Sequence, residues 1–407
     1  MENKRNYILA FWDPVLFING MIFLNVNTVI PYFLIALSGS TFHISLANFL
    51  AVLGSFLPSI FIARYVQKLR IKNKVFAKIL FIQRFTFLIF VFLFPFFLNY
   101  LGKTATIYLF LLFYGVFNLF VGTYGPFYFS ILDKILPFEE RGRVVGRGSA
   151  LGNLIAIFMT LLLNFYINKI SFPYNFFLIF LTGTFILILD ALLFYFMEEK
   201  EEDIFEDSLS FSQFIRKAFS ILKVNPFFRR VVISLLFLGL SLTALPYFIV
   251  YANKKFGSLN NIVTAFNFGY ILSSVLGSFI LGELTKNLGY KKVLSLGMAL
   301  GLIGFIVVFT FRNLIGTILG SILVNLTFVS NILTSGFIIT GVSTKEELPV
   351  YLAVSNTIVM AFSSLMHLLN GAIIKYLGFY VLFFVSFVFL VFSFVSIGRV
   401  VITSMDN

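Results

Sequence analysis

The chain is predicted to be an all-α integral membrane protein with twelve transmembrane helices in two pseudo-symmetric six-helix bundles. Three observations carry this. Apolar runs of 20 or more residues recur from Phe11 to Ile402, and charged residues make up 12% of the 407, against about 25% in a soluble domain. Runs such as LFIQRFTFLIFVFLFPFF are apolar on every side, whereas β-barrel strands alternate every second residue. The stretch TVIPYFLI (Thr28 to Ile35) returns 215 residues later as TALPYFIV (Thr243 to Val250).

Lys4 and Arg5 before an apolar run resemble the start of a secretion signal. Asp13-Pro14 interrupts that run and no small-residue cleavage site follows, so the first segment is read as a retained helix with Asp13 as N-cap and Pro14 at the first helical position. At roughly 20 apolar residues per span, with Gly, Pro, Asn and charge clusters as breaks, the twelve spans cover 13–37, 44–66, 76–99, 105–131, 147–168, 173–197, 229–252, 260–284, 291–311, 314–341, 349–374 and 378–402. With both termini cytoplasmic, Lys103, Lys169, Lys254, Lys255, Arg312 and Lys375 fall in outer loops, Arg84 lies within a span, and the other 23 of the 30 cations sit on the cytoplasmic side. That is the bias insertion produces, and the expected location is the cell's inner (plasma) membrane. The domains are expected to be 1–198, an amino-terminal bundle; 199–228, a cytoplasmic linker; and 229–407, a carboxy-terminal bundle. Within the linker, SFSQFIRKAFSILK has the spacing of an amphipathic helix, suited to lying along the inner leaflet.

The net charge of +13 does not imply nucleic acid, because the cations are scattered between apolar segments rather than gathered in one stripe. Cysteine is absent, and two histidines, His43 and His367, cannot build a multi-histidine metal site. No HExxH, Walker loop or nucleophile elbow occurs, so neither an enzyme nor an ATP-driven pump is expected, and no cofactor. GRGSALG, with Gly146, Gly148 and Gly152, reads as close helix packing at the start of span five.

The two Thr-x-x-Pro-Tyr-Phe stretches are the same element of two homologous halves. FEERG (Phe138 to Gly142) pairs with KEELP (Lys345 to Pro349), an offset of 207 that sets Asn118 on Asn325, and ARYVQKLRIKN (Ala63 to Asn73) pairs with GELTKNLGYKK (Gly282 to Lys292). With these landmarks in one order, the chain resembles the major facilitator superfamily over nearly its whole length. GELTKNLGYKK is similar to that family's Gly-x-Leu-Ala-Asp-Arg-x-Gly-Arg-Arg loop, retaining Gly282, Leu284, Gly289 and Lys291, with Lys286 in place of the acid and Asn287 in place of the first Arg. The first-half copy has Gln67 at the acidic position and keeps Arg70, Lys72 and Lys74; LPFEERGRVVGRG resembles the loop after span four through Arg141, Gly142, Arg143 and Gly146. The resemblance implies that a loop Asp locks the halves; here Glu283, Asp133, Glu139 or Glu140 would have to substitute.

The resemblance also implies a mid-membrane substrate cavity lined by spans one, four, seven and ten. Helical spacing places Tyr114, Asn118, Gly122, Gly125 and Tyr128 on one stripe of span four, and Thr317, Ser321 and Asn325 on one of span ten. Asn25, Thr28 and Tyr32 share a face of span one, as Gly239, Thr243 and Tyr247 share one of span seven. A membrane Asn commonly bonds helix to helix, but the repeat-matched Asn118 and Asn325 are candidate substrate contacts together with Asn25, Thr28, Tyr114, Thr243 and Tyr247. His367 either binds substrate or a proton, or is a neutral imidazole bonded between helices. Pro31 and Pro246 are expected to bend their spans, with Tyr32 and Tyr247 as an outer gate and Arg141, Arg143, Gly282, Gly289 and Lys291 as gating elements of the cytoplasmic loops.

Arg84 and Asp190 stand within spans three and six, nine residues from Val75 near the start of one and seven from Met197 at the end of the other. At about 1.5 Å per residue their depths match, and a buried charge requires a partner. An Arg84–Asp190 ion pair holding the amino-terminal bundle is expected, with a proton-coupling role for Asp190 as the alternative. Asp13 being read as a cap, the cavity helices are left without a buried carboxylate. The functional expectation is a monomeric secondary transporter of a small organic solute working by alternating access among membrane lipids, with protons as a candidate coupling ion and either export of amphipathic compounds or uptake of sugars or metabolites. A lipid flippase or a non-transporting sensor on the same fold is the alternative.

Overall fold

The computed structural model describes residues 4–201, 220–257, 259–342 and 348–399, and contains no β-strand among them. The chain divides into two compact units, Met1–Ser208 and Leu209–Asn407. The greater part of the expected linker helix, and the acidic stretch before it, lie outside the described residues.

In the first unit, span one departs from expectation. It is two helices, Lys4–Ile22 and Val29–Ala36, so Asp13 and Pro14 lie inside the first helix and Asp13 is not its N-cap. An Asp-Pro pair is a helix-start signal when local bonding decides. Here the Asp13 carboxylate is satisfied by distant side chains instead, and the missing N–H of Pro14 leaves only one intrahelical bond unmade. Span two is Thr41–Gln67. Next comes a run of 63 residues, Asn73–Ile135, about 95 Å if straight and three times the bilayer core of about 30 Å. It reverses at Gly102, whose φ of 78° is closed to most L-residues, and so supplies spans three and four. Spans five and six are Phe138–Lys169 and Tyr174–Phe196. Span five starts nine residues earlier than expected, because the loop after span four is only Leu136 and Pro137, and Glu140, Arg141 and Arg143 already belong to the helix.

The second unit repeats the plan. Span seven is Pro226–Leu242 followed by Leu245–Phe256. Asn225 caps it by accepting a bond from the Phe228 N–H, with Pro226 at its first residue, as soluble-helix rules dictate. Spans eight to twelve are Leu259–Leu288, Tyr290–Thr310, Leu314–Thr340, Leu348–Leu377 and Phe379–Gly398. Gly289 and Gly378, with φ of 78° and 88°, each form a whole interhelical turn alone.

Small residues let the helices approach, as expected where lipid supplies no hydrophobic drive between them. A Cβ on Gly148 would lie 2.3 Å from the Phe11 carbonyl oxygen, and one on Gly20 2.7 Å from Leu187, so spans five and six both press on span one. Gly54 of span two would strike the Asn118 backbone at 2.6 Å, and Gly304 of span nine the Gly320 oxygen at 2.7 Å. Around these seams the first unit packs rings: Phe33 meets Phe94, Phe110, Phe176 and Phe180 with centroids 4.8–5.3 Å apart. Outward-facing rings such as Phe129, Phe158 and Phe279 are about 70% exposed or more. This is intolerable in water over so wide a surface and appropriate in hydrocarbon.

Candidate functional site

Two kinds of polar structure interrupt the apolar bundles, and the first is the pair of broken helices. Pro31 and Pro246 stand in the first turn of the second segment of their spans, where a missing N–H is harmless, and each break includes the Thr of its Thr-x-x-Pro. Since proline has no N–H, the carbonyls four residues earlier, Asn27 and Leu242, lack their helical donor. In the first unit the break is closed locally. The Asn25 carbonyl accepts both Thr28 N (3.3 Å) and Ile30 N (3.0 Å), and its side-chain oxygen accepts Asn27 N at 2.8 Å. In the second unit it is stitched from outside: Asn370 of span eleven donates to the hydroxyl and carbonyl oxygens of Thr243 (2.9 and 3.2 Å), and Tyr270 of span eight donates to the Leu245 carbonyl (3.1 Å). Tyr247, fully buried, donates to the His367 carbonyl at 3.3 Å, and His367 Nδ1 is buried with no partner. Tyr32 packs on Phe176 at 4.7 Å.

The repeat-matched asparagines stand at corresponding seams but bond differently, one within its own helix and one across to its neighbour. Asn118 donates back to Tyr114 O (2.7 Å) with its backbone against Gly54, at the seam of spans two and four. Asn325 donates to Ser273 Oγ (2.8 Å), at the seam of spans eight and ten.

The second polar structure is a buried ionic cluster in the first unit. Arg84 Nη2 meets Asp190 Oδ2 at 2.5 Å. Beside Asp190 stands Asp13, whose Oδ1 accepts the Tyr124 hydroxyl at 2.7 Å and whose carboxyl neighbours both Asp190 and Tyr128. Arg84, Asp13 and Asp190 are each 1% exposed or less. Arg84 Nε and Nη1 have no acceptor and Asp190 Oδ1 no donor. The cluster joins spans one, three, four and six, and Asp13 supplies the buried carboxylate of span one that a capping role had seemed to remove.

At the loop end of the same unit, Glu199, just beyond span six, accepts the backbone N–H groups of Lys72 and Asn73 at 2.6 and 2.7 Å and pairs with Lys134 at 2.9 Å, with both charged side chains buried. A carboxylate on a helix N-terminus is stabilised by the exposed N–H groups there. Glu199 thus sits beside the loop where the expected acid is missing. The substitutes named from sequence are engaged locally: Asp133 with Arg141 (2.5 Å), Glu140 with Arg143, and Glu283 with Lys286 (3.0 Å); the Glu139 side chain lies outside the described residues. Lys291 donates to the Gly398 carbonyl at 3.2 Å. Gly282 has open space where a Cβ would stand.

Tyr124, Glu199 and Asn370 were missed in the sequence because their partners are 65 or more residues away in the chain. The spacing of Tyr124 and Tyr128, one helical turn apart and so on one face, was the available signal.

The Major Facilitator Superfamily profile matches residues 14–259, more than half of the chain. Among solved structures, a bacterial homologue of the human lysosomal transporter Spinster superposes with a TM-score of 0.71 at 14% identity, covering 98% of each chain. The nucleoside transporter NupG gives 0.64 at 15%, covering 97% of each. The E. coli fucose:proton symporter FucP gives 0.60 at 15%, covering 96% of this chain and 97% of the other. No curated protein matches.

Proposed function

The chain belongs to the Major Facilitator Superfamily, and from that premise we propose that it is a proton-coupled secondary transporter, moving a small organic solute by alternating access. It is a multi-pass membrane transporter, not an enzyme. The observation that supports proton coupling is the charge count of the buried cluster: one guanidinium against two facing carboxyls. With both carboxyls ionised the cluster carries one net negative charge in a setting that disfavours it, and one proton makes it neutral. Asp13 is the proton carrier in this reading, because Asp190 already has Arg84, while the Tyr124 hydroxyl orients the Asp13 carboxyl. The broken helices support substrate binding, since interrupted spans with unpaired carbonyls are where transporters bind solutes. Asn25, Thr28, Tyr114 and Asn118 in the first unit and Thr243, Tyr247, Asn325 and His367 in the second are the proposed contacts. Both termini are cytoplasmic in this reading, and the protein works as a monomer.

A thermal-shift screen of the purified chain against metabolites and amphipathic drugs identifies the solute. Flux of that solute in reconstituted vesicles under an imposed pH gradient then tests the coupling. The expected result is gradient-driven flux in the wild type and, in Asp13→Asn, exchange of solute without response to the gradient. Gradient-driven accumulation by Asp13→Asn would remove Asp13 from the proton path, and translocation of labelled lipid without solute flux would point to a flippase.

A further inference from the structure

Carboxylates are absent from the loop end where spans seven and eight, nine and ten, and eleven and twelve join. Glu283, paired with Lys286, is the one acid among the described residues of the second unit. Three cations gather at this end around Tyr380. Lys255 Nζ donates to Tyr251 OH (2.8 Å), Tyr380 OH (3.1 Å) and the Arg312 carbonyl (3.1 Å), which uses all three of its donors. Arg312 lies 5.4 Å from the Tyr380 ring centroid and Lys254 5.8 Å from that of Phe379.

The proton count leaves a surplus of donors. The two phenols bring two O–H groups; their mutual 2.8 Å bond uses one, and nothing among the described residues accepts the other. Arg312 spends only Nε, on Phe309 O, so its four terminal N–H groups have no acceptor among the described residues. Tyr380 is also the second residue of a helix whose first turn has no side-chain cap. Three positive charges and a set of unclaimed donors, with no acceptor facing them, form a receptor for an anion with several oxygens. Its border is apolar: Phe311, Ile315 and Leu377 are each more than half exposed, as they would be against acyl chains, and tyrosines and cations at span ends belong at headgroup level.

We propose that Lys254, Lys255, Arg312 and Tyr380 bind the phosphate of an anionic phospholipid headgroup at this end of the second unit. Each basic side chain near an anionic surface contributes about fivefold in affinity, so removing all three costs roughly a hundredfold.

The test is native mass spectrometry and thermal shift on the full chain in detergent, titrated with short-chain phosphatidylglycerol, phosphatidylcholine or inorganic phosphate. Phosphatidylglycerol is expected to bind and to raise the melting temperature, and the other two are not. Lys254→Gln/Lys255→Gln/Arg312→Gln is expected to weaken it about a hundredfold, and Arg312→Gln alone about fivefold. Tyr380→Phe, which keeps the ring but removes the hydroxyl, is expected to weaken it measurably with the lipid-free melting temperature unchanged. Matched removal of three cations elsewhere, Lys68→Gln/Arg70→Gln/Lys74→Gln, should leave the affinity within about twofold. Equal losses in the two triple variants would reduce the effect to net charge and overturn the site. Inorganic phosphate matching phosphatidylglycerol at equal concentration would overturn the lipid assignment, as would wild-type affinity in both Arg312→Gln and Tyr380→Phe.

Discussion

Arg84 and Asp190 are the residues at which counting along the sequence reached furthest. Their matching depth needed only the rise of a helix, and the structure has them 2.5 Å apart. Asp13 was not legible in the same way. Its bonds go to Tyr124 of span four, 111 residues on, and no local rule carries that information, so a helix-start reading of Asp13-Pro14 was the natural local answer. The two acids are expected to separate experimentally. Asp190→Asn leaves Arg84 buried without its counter-charge, for which breaking a buried pair costs about 3–5 kcal/mol. Its melting temperature should fall sharply, and Arg84→Asp/Asp190→Arg should recover part of the loss. An unchanged melting temperature together with loss of pH-dependent transport would instead make Asp190 the proton site. Asp13→Asn is expected to keep its stability within about 1 kcal/mol, because the asparagine oxygen can still accept from Tyr124.

At the scale of the element, apolar composition revealed where spans lie but not whether their backbone stays helical. A run that is hydrophobic all round reads the same intact or broken, and only Thr-x-x-Pro marked the interruptions at 23–28 and 243–244. Replacing Pro31 or Pro246 by alanine restores a donor to the Asn27 or Leu242 carbonyl. Each variant is expected to be at least as stable as the wild type by thermal unfolding and to lose most solute flux; full flux would mean that the breaks are not used. Glu199 is legible only once spans three, four and six are brought together. Glu199→Ala removes the counter-charge of Lys134, which keeps its bond to the Arg70 carbonyl, and the acceptor of two helix-terminal N–H groups, and a loss of about 3 kcal/mol or more is expected. Faster amide exchange should then appear first at the start of span three.

For the whole molecule, duplication was the most legible feature, and it survives in the architecture: both units open with a broken span, and both set a matched asparagine at a helix seam. The duplication does not make the seams equally rigid. Gly54 and Gly269 are repeat mates at the 215-residue offset, but a Cβ on Gly54 meets the Asn118 backbone at 2.6 Å, whereas one on Gly269 meets side-chain atoms of Ile322, Cγ1 at 2.9 Å and the terminal Cδ1 at 3.0 Å. Backbone cannot yield as a side chain can. Gly54→Ala is therefore expected to cost about 2–3 kcal/mol and Gly269→Ala less than about 1 kcal/mol, measured by chemical denaturation. The double variant should sum the two, since the sites lie in separate units and share no partner.

Gly102, Gly289 and Gly378 each turn the chain between two spans with a single residue, and this bears on how the protein meets membranes of different thickness. A helix pair joined by a long loop can accommodate a thinner bilayer by sliding one member along the other. Spans three and four, eight and nine, and eleven and twelve have no slack for that, and their offset along the shared axis is set by the turn. Each pair must respond to mismatch by tilting as one body, at a cost of fractions of a kcal/mol per Å, so acyl-chain length acts on these hairpins as a mechanical input and not merely as a solvent.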